Sequence, residues 1–198
     1  MGQANFGLNL DFLEADYAVG TDISATLTTG SATNDTQRFN WGVYYLGLLR
    51  NRWFWLANTD HARNDELGIE LRTLAGGGMG RYLVKNNRSR WSLAAGLAGS
   101  REKLVTDEDR SQIEGQLLTH YSFYLFVPRR TDININLAVY PGLTNTDRLR
   151  GNFDTKLRWE IVGDLTWDLT YFYTWDNEPP PGAASEDTGV TTSIGYTF

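Results

Sequence analysis

Long stretches in which apolar and polar residues strictly alternate limit the folds open to this chain more than any other feature. From Leu149 to Ile161 the odd positions read Leu149, Gly151, Phe153, Thr155, Leu157, Trp159 and Ile161, and the even ones Arg150, Asn152, Asp154, Lys156, Arg158 and Glu160. Side chains of an extended strand alternate between its two faces, so this period separates one apolar face from one highly polar face; a helix cannot do so. The same pattern returns over Ile113 to Val127, Ile133 to Tyr140, Leu165 to Trp175 and Val190 to Phe198. Earlier strands are expected over 4–13, 16–30, 36–49, 52–64, 66–84 and 90–101. The expected fold is all-β and antiparallel, with about 11 strands in one domain spanning residues 1–198.

Alternation alone leaves open whether the apolar face packs into a core or looks outward at lipid. Several runs are too long for globular strands, which average about 5 or 6 residues, and suit tilted membrane-spanning strands of about 9 to 11. Aromatic residues gather toward the ends of the apolar stripes at Trp91, Trp159, Trp167, Tyr171, Tyr173, Trp175 and Tyr196, where a girdle would meet lipid headgroups. Tight connections at Arg50-Asn51, Lys85 to Ser89, Pro128 to Thr131 and Gly163-Asp164 alternate with longer polar ones at Ser31 to Asp35, Glu102 to Arg110 and Asn177 to Asp187. Short turns at one end and long loops at the other are the pattern of a transmembrane β-barrel in a bacterial outer membrane.

Composition narrows the classes further. No stretch approaches the roughly 18 apolar residues of a membrane-spanning helix. The chain has no cysteine, which removes disulfides and thiolate metal sites, and no charged-then-apolar leader follows Met1. Its net charge of −6 comes without a basic stripe, so a nucleic-acid partner is not expected. No cofactor or metal is implied.

The inward series is expected to be Glu70, Arg72, Glu114, Gln116, Asn134, Asn136, Arg150, Asn152, Asp154, Lys156, Arg158, Glu160 and Asp168. Interleaved signs there mean either an ion-pair network filling the interior or a narrow polar channel. Loop charge favours cations: Asp35, Asp60, Asp65, Glu66, Asp107, Glu108, Asp109, Asp176, Glu178, Glu186 and Asp187 fall at the presumed outer end. Arg50, Arg52, Lys85, Arg88, Arg90, Arg129 and Arg130 fall at the other. The alternative function is hydrolytic, since His120 and Ser122 lie two apart on one strand and share a face, as a base and a nucleophile require, with Asn134 or Asn136 as orienting partner. The His-x-Ser order resembles that of outer-membrane phospholipases and lipid A deacylases, although it falls here on the inward face. Asp60, His61 and Asp65 have nonspecific spacing and read as a solvated loop. Gly76-Gly77-Gly78-Met79-Gly80 lacks the Lys-Ser/Thr and helix of a phosphate loop, and suits a crowded strand.

Asp176-Asn177-Glu178-Pro179-Pro180-Pro181-Gly182-Ala183, leading through Asp187 to Thr191-Thr192-Ser193-Ile194-Gly195-Tyr196-Thr197-Phe198, resembles the uncharacterised salt-induced outer-membrane protein family of Gram-negative bacteria, a domain of unknown function. Asn51-Arg52-Trp53-Phe54, Gly68-Ile69-Glu70-Leu71-Arg72 and Gly76 to Gly80 extend the resemblance over most of the chain. It implies a barrel of unknown activity. Tyr196 and Phe198 resemble the C-terminal signal read by the barrel assembly machinery, which would make that machinery, outer-membrane lipid and lipopolysaccharide the partners. Single-chain bacterial barrels have even strand numbers, about 12 for this family by expectation. An odd count means that a first strand is lacking or that two strands have been merged; in the first case the end strands run the same way and would have to close in parallel.

Overall fold

The computed structural model describes residues 2–29, 36–105, 109–127 and 129–196. Eleven strands form one sheet in chain order. They are β1 (Gly2–Leu13), β2 (Tyr17–Thr29), β3 (Thr36–Leu48), β4 (Trp53–Asn64), β5 (Ile69–Lys85), β6 (Ser89–Leu104), β7 (Asp109–Leu125), β8 (Thr131–Pro141), β9 (Leu149–Val162), β10 (Leu165–Asp176) and β11 (Glu186–Tyr196). Every neighbouring pair is antiparallel. A single 3-10 turn at Arg50–Arg52 joins β3 to β4, with Asn51 and Arg52 both left-handed at φ 60° and 67°. Two successive positive φ values give the turn a twist that matches the strands on either side.

Strands run from 11 residues in β8 to 17 in β5 and β7. Glu102 to Arg110, expected as a loop, is mostly strand: β6 continues to Leu104 and β7 begins at Asp109. Glu102 and Asp109 are compatible with strand because each finds a partner, Glu102 in Arg72 and Asp109 in Arg101. Asp60 and His61 likewise lie within β4, not in a loop.

Side chains on one face reach strands far away in the sheet. Arg38 on β3 lies 3.5 Å from Asp187 on β11, and Arg72 on β5 lies 3.7 Å from Asp176 on β10. Such contacts require the sheet to roll into an open barrel with this face inside. Gly78 and Gly96 oppose one another on β5 and β6. A Cβ on Gly78 would lie 2.3 Å from the Ala95 carbonyl oxygen, and one on Gly96 2.1 Å from that of Gly77. The obstructing atoms are backbone and cannot rotate away. Gly96→Val is therefore expected to destabilise the barrel by about 1–3 kcal/mol, read as a lower urea midpoint; an unchanged midpoint would mean that the close approach is dispensable.

The inner face carries even-numbered residues from β2 to β10, except where bulges near both ends of β5 and at the end of β9 shift the phase. The phase shifts by one in β1 and β11, where Asn5 pairs with Thr26 and Asp187 with Thr174. Large apolar side chains are exposed on the outer face, including Phe6 at 60%, Leu97 at 60%, Leu117 at 53% and Ile194 at 72%. The most deeply buried polar residues sit inside, among them Glu114 at 0%, Glu102 and Gln116 at 1% and Arg148 at 2%. This distribution is the reverse of a water-soluble domain's.

β1 and β11 are the two edges of the sheet and run in the same direction. Among the described residues they do not pair, so the expected direct parallel closure is not formed. No two strands were merged, and the odd count stands. An antiparallel ladder, which joins every other pair here, cannot form between strands of equal direction.

Candidate functional site

The interior divides into three layers, starting from the end that carries the longer loops. The first is an ion-pair lattice centred on Arg148, in the segment joining β8 to β9. Its Nη2 donates to both oxygens of Glu102 at 3.1 and 2.9 Å and to Asp176 at 2.5 Å, and its Nε donates to Asp176 at 3.1 Å. Arg72 Nε donates to Glu102 at 2.6 Å. Arg150 donates through two nitrogens to the fully buried Glu114, its Nε at 2.6 Å, and its guanidinium lies 4.2 Å from the Tyr140 ring centre. Asn64 Nδ2 donates to Asp187 at 2.6 Å beside Arg38. Burial alone would lower the Arg148 pKa, but its hydrogen bonds and charges from Asp176 and Glu102 raise it above the ordinary value. Arg148 is therefore charged at any working pH, and the lattice holds its ions in a space where an unpaired one would be costly.

The connecting segments lock over this lattice. The Ala184 amide donates to the Glu66 carbonyl at 3.1 Å, Asn145 Nδ2 to Glu178 at 2.5 Å, and Asn177 Nδ2 to the Asp147 carbonyl at 2.8 Å. Gly68, at φ 64°, lies against Ala183 and Pro180. The Glu66 carboxyl is raised above its usual range by burial and by the Asp187 charge. A raised pKa means that the closed form binds the proton more tightly, so this contribution is present at acid pH and fades as pH rises through the folded pKa. Amide exchange at Ala184 should accordingly be slower at acid pH than at neutral pH, after correction for intrinsic rates, and Glu66→Gln should abolish the difference. A pH effect that persists in the variant would assign it to another group.

The second layer is apolar: Leu74, Ala98 and Tyr140 are buried together, with Leu118 and Ala138 packed against them. Beyond it lies a polar cup open toward the short-turn end. Ser122 Oγ is 2.7 Å from His120 Nε2 and 2.9 Å from Asn134 Oδ1, and His120 Nδ1 is 2.6 Å from Asn136 Oδ1. Strand register alone brings these together, because His120 pairs with Asn136 and Ser122 with Asn134. Arg90 pairs with Ser122 from β6, and Lys156 with Asn134 from β9. Arg158 donates to both oxygens of Asp168 at 2.8 Å.

Of the inward residues expected from the sequence, Arg72, Glu114, Gln116 and Arg150 lie in or next to the lattice. Asn134, Asn136, Asn152, Asp154, Lys156, Arg158, Glu160 and Asp168 share the same inner face further along. Glu70 does not belong with them. It is the extra residue of a bulge between Ile69 and Leu71, and its carboxylate meets Lys103, whose neighbours Arg72 and Glu102 point the other way. Of Asn134 and Asn136, the two orienting partners expected for His120, Asn134 touches Ser122 and Asn136 orients the ring.

On the outer face, Trp91, Trp159, Trp167 and Tyr196 lie toward the short-turn end, and Tyr173 stacks on Trp175 near the long-loop end, their centres 5.6 Å apart. Tyr171 lies midway along β10, not at a rim, opposite Thr155 and Val190. His61 stacks on Trp41 outside while Asp60 belongs to the inner series, so alternation separates them. Gly76 to Gly80 are strand, with Gln116 filling the space beside Gly76 and Phe54 that beside Gly80. Phe198, Asp35, Asp107 and Glu108 lie outside the described residues.

Sequence reasoning missed Glu102, Arg148, Asp187, Arg38 and Tyr140. Extending the even series of β6 past Ala98 and Ser100 reaches Glu102. No periodicity marks Arg148, which lies between strands. No group of three or more His, Asp or Glu side chains capable of holding a metal stands together among the described residues.

No curated protein matches this chain. Residues 3–198 match the family described as protein of unknown function, DUF481, and the chain belongs to that family.

Proposed function

We propose that this protein is an outer-membrane β-barrel whose interior is shut, so that it serves as a closed membrane-embedded body and not as an open pore. The observation that carries this reading is the inversion of polarity: exposed leucines, phenylalanines and tryptophans outside, buried ion pairs within. An apolar outer band beside a polar interior is what a bilayer requires of a barrel, and strands of 11 to 17 residues are long enough to cross it. The aromatic residues at both ends suit the headgroup regions of lipid and lipopolysaccharide. The last strand, with Tyr196, is the segment that the assembly machinery would read.

Closure follows from the layers. An ion entering from the long-loop end meets the Arg148 lattice and then the apolar contacts of Leu74, Ala98 and Tyr140, which offer no replacement for its hydration shell. The mouth is also less acidic than the loop sequences suggest, since Asp176 and Asp187 are neutralised by Arg148 and Arg38. Asp65 is likewise paired with Arg63, and Glu66, Glu178 and Glu186 remain, so any leak would be narrow, with a modest cation preference at low salt. Planar-bilayer recording tests this: no steady conductance is expected from the wild type. A stable open channel would overturn the closed reading, and anion preference of any leak at low salt would overturn the acidic mouth.

A further inference from the structure

We propose that Ser122, His120 and Asn136 form an ester-cleaving site inside the barrel, for small anionic acyl esters that enter from the short-turn end. The geometry that carries it is the reach of His120 Nε2 to Ser122 Oγ, with Asn136 held on the other ring nitrogen. Asn136 Oδ1 lies 2.6 Å from His120 Nδ1 and can only accept, so the ring proton sits on Nδ1. His120 Nε2 then carries a lone pair, and Ser122, 2.7 Å away, donates to it. The same hydroxyl donates to Asn134 Oδ1 at 2.9 Å, so its one proton has two acceptors in reach, and rotation of Asn134 leaves His120 as the remaining one. The result is a nucleophile, a general base and a positioning residue in working order, with a donor beside the nucleophile.

The surroundings define the substrate. Ser122 is 1% exposed with Asn134 bonded to its Oγ; rotation of that side chain frees Oγ from one partner and leaves the amide N–H free to donate to a developing oxyanion. Leu118 and Ala138 pair in the next inward register, a floor that takes a short acyl chain and stops a long one. Arg90 and Lys156 flank Ser122 and Asn134 in register and both are exposed; Arg90, with Lys156 at 4.0 Å from Asp168, supplies the positive charge that an anionic ester needs. The site looks into the cup, not onto the apolar outer face, so bilayer lipid is not its substrate.

In the first half-reaction the Ser122 proton passes to His120 Nε2 as Oγ bonds to the acyl carbon. The ester C–O bond then breaks, and the alcohol leaves with the proton from the imidazolium. Water reverses the sequence: one of its protons goes to His120, its oxygen bonds to the acyl carbon, the acyl–Oγ bond breaks, Ser122 regains the proton from His120, and the carboxylic acid departs and loses its own proton to solvent.

The test uses the full chain folded in detergent micelles, a fluorophosphonate label and two probes, p-nitrophenyl hemisuccinate and p-nitrophenyl palmitate. Labelling is expected at Ser122 by mass mapping, with hemisuccinate hydrolysis lowered about 100-fold or more in Ser122→Ala and in His120→Ala. Folding of each variant is checked by heat-modifiable gel mobility. Lys156→Ala should raise KM for hemisuccinate with kcat little changed. Asn136→Ala should lower kcat, and Asn136→Asp should restore it with a shifted pH profile, which a merely structural role would not produce. A folded wild type that neither labels at Ser122 nor outpaces Ser122→Ala overturns the proposal, and preference for palmitate overturns the assignment of substrate.

Discussion

Glu102→Ala is expected to lower the stability of the folded barrel by about 3–5 kcal/mol, the range for removing one partner of a buried ion pair. Glu102 is 1% exposed and is the acceptor that Arg72 and Arg148 share, so its loss leaves two guanidinium groups with Asp176 as the remaining carboxylate of the cluster. Charge that is no longer matched, in a space largely closed to water, is the source of the cost. Glu102→Gln keeps the shape and an acceptor oxygen but loses the charge, and should fall between alanine and wild type. Urea unfolding in detergent or lipid, followed by tryptophan fluorescence, gives the difference in midpoint and slope. A loss below about 1 kcal/mol would match an exposed surface pair and would mean that the lattice is solvated.

The second large effect belongs to the outer face. Leu117→Arg should cost about 2–4 kcal/mol in a bilayer if the side chain sits near the membrane midplane. Leu117 is 53% exposed and pairs with Ala95 and Val139 on either side, so neither direct partner can receive the charge. Asn152→Arg, on the inner face between Ala138 and Thr174, places the same charge beside a polar interior and should be far milder. Folding yield into phosphatidylcholine vesicles, read on cold gels, compares the two. Equal yields would remove the lipid-facing role of the outer surface. In detergent-free water the order is expected to lose its meaning, because the penalty comes from hydrocarbon and not from the fold.

Much of the architecture can be read from the alternation, because a period of two leaves no freedom about which face a residue takes once one neighbour is assigned. Leu149 to Ile161 shows this most clearly, and β9 spans Leu149–Val162. The reading fails where the period is broken. Glu70 changes face because one extra residue is accommodated in a bulge, which composition does not announce. Asp60 and His61 looked like loop residues because they are polar, yet an inward Asp and an outward His stacked on Trp41 are both compatible with strand.

The candidate sites divide along the same line. His120 and Ser122 share a face by spacing alone, so their pairing was visible in one strand. That Asn136 and not Asn134 meets Nδ1 depends on the register between β7 and β8, which a shift of one pair would change. The Arg148 lattice was not legible at all. Its members come from β5, β6, β10 and the segment before β9, and lie 28 to 46 positions from Arg148 where they bond to it. By itself, then, the sequence determined the strands, their order of faces and the inside-out polarity, since these are local consequences of side-chain alternation. The curl of the sheet around its own charges, the layering of the interior and the lack of a ladder between β1 and β11 among the described residues were decided only by the tertiary structure, because each depends on how far the sheet curls and which distant side chains that curl brings within hydrogen-bond reach.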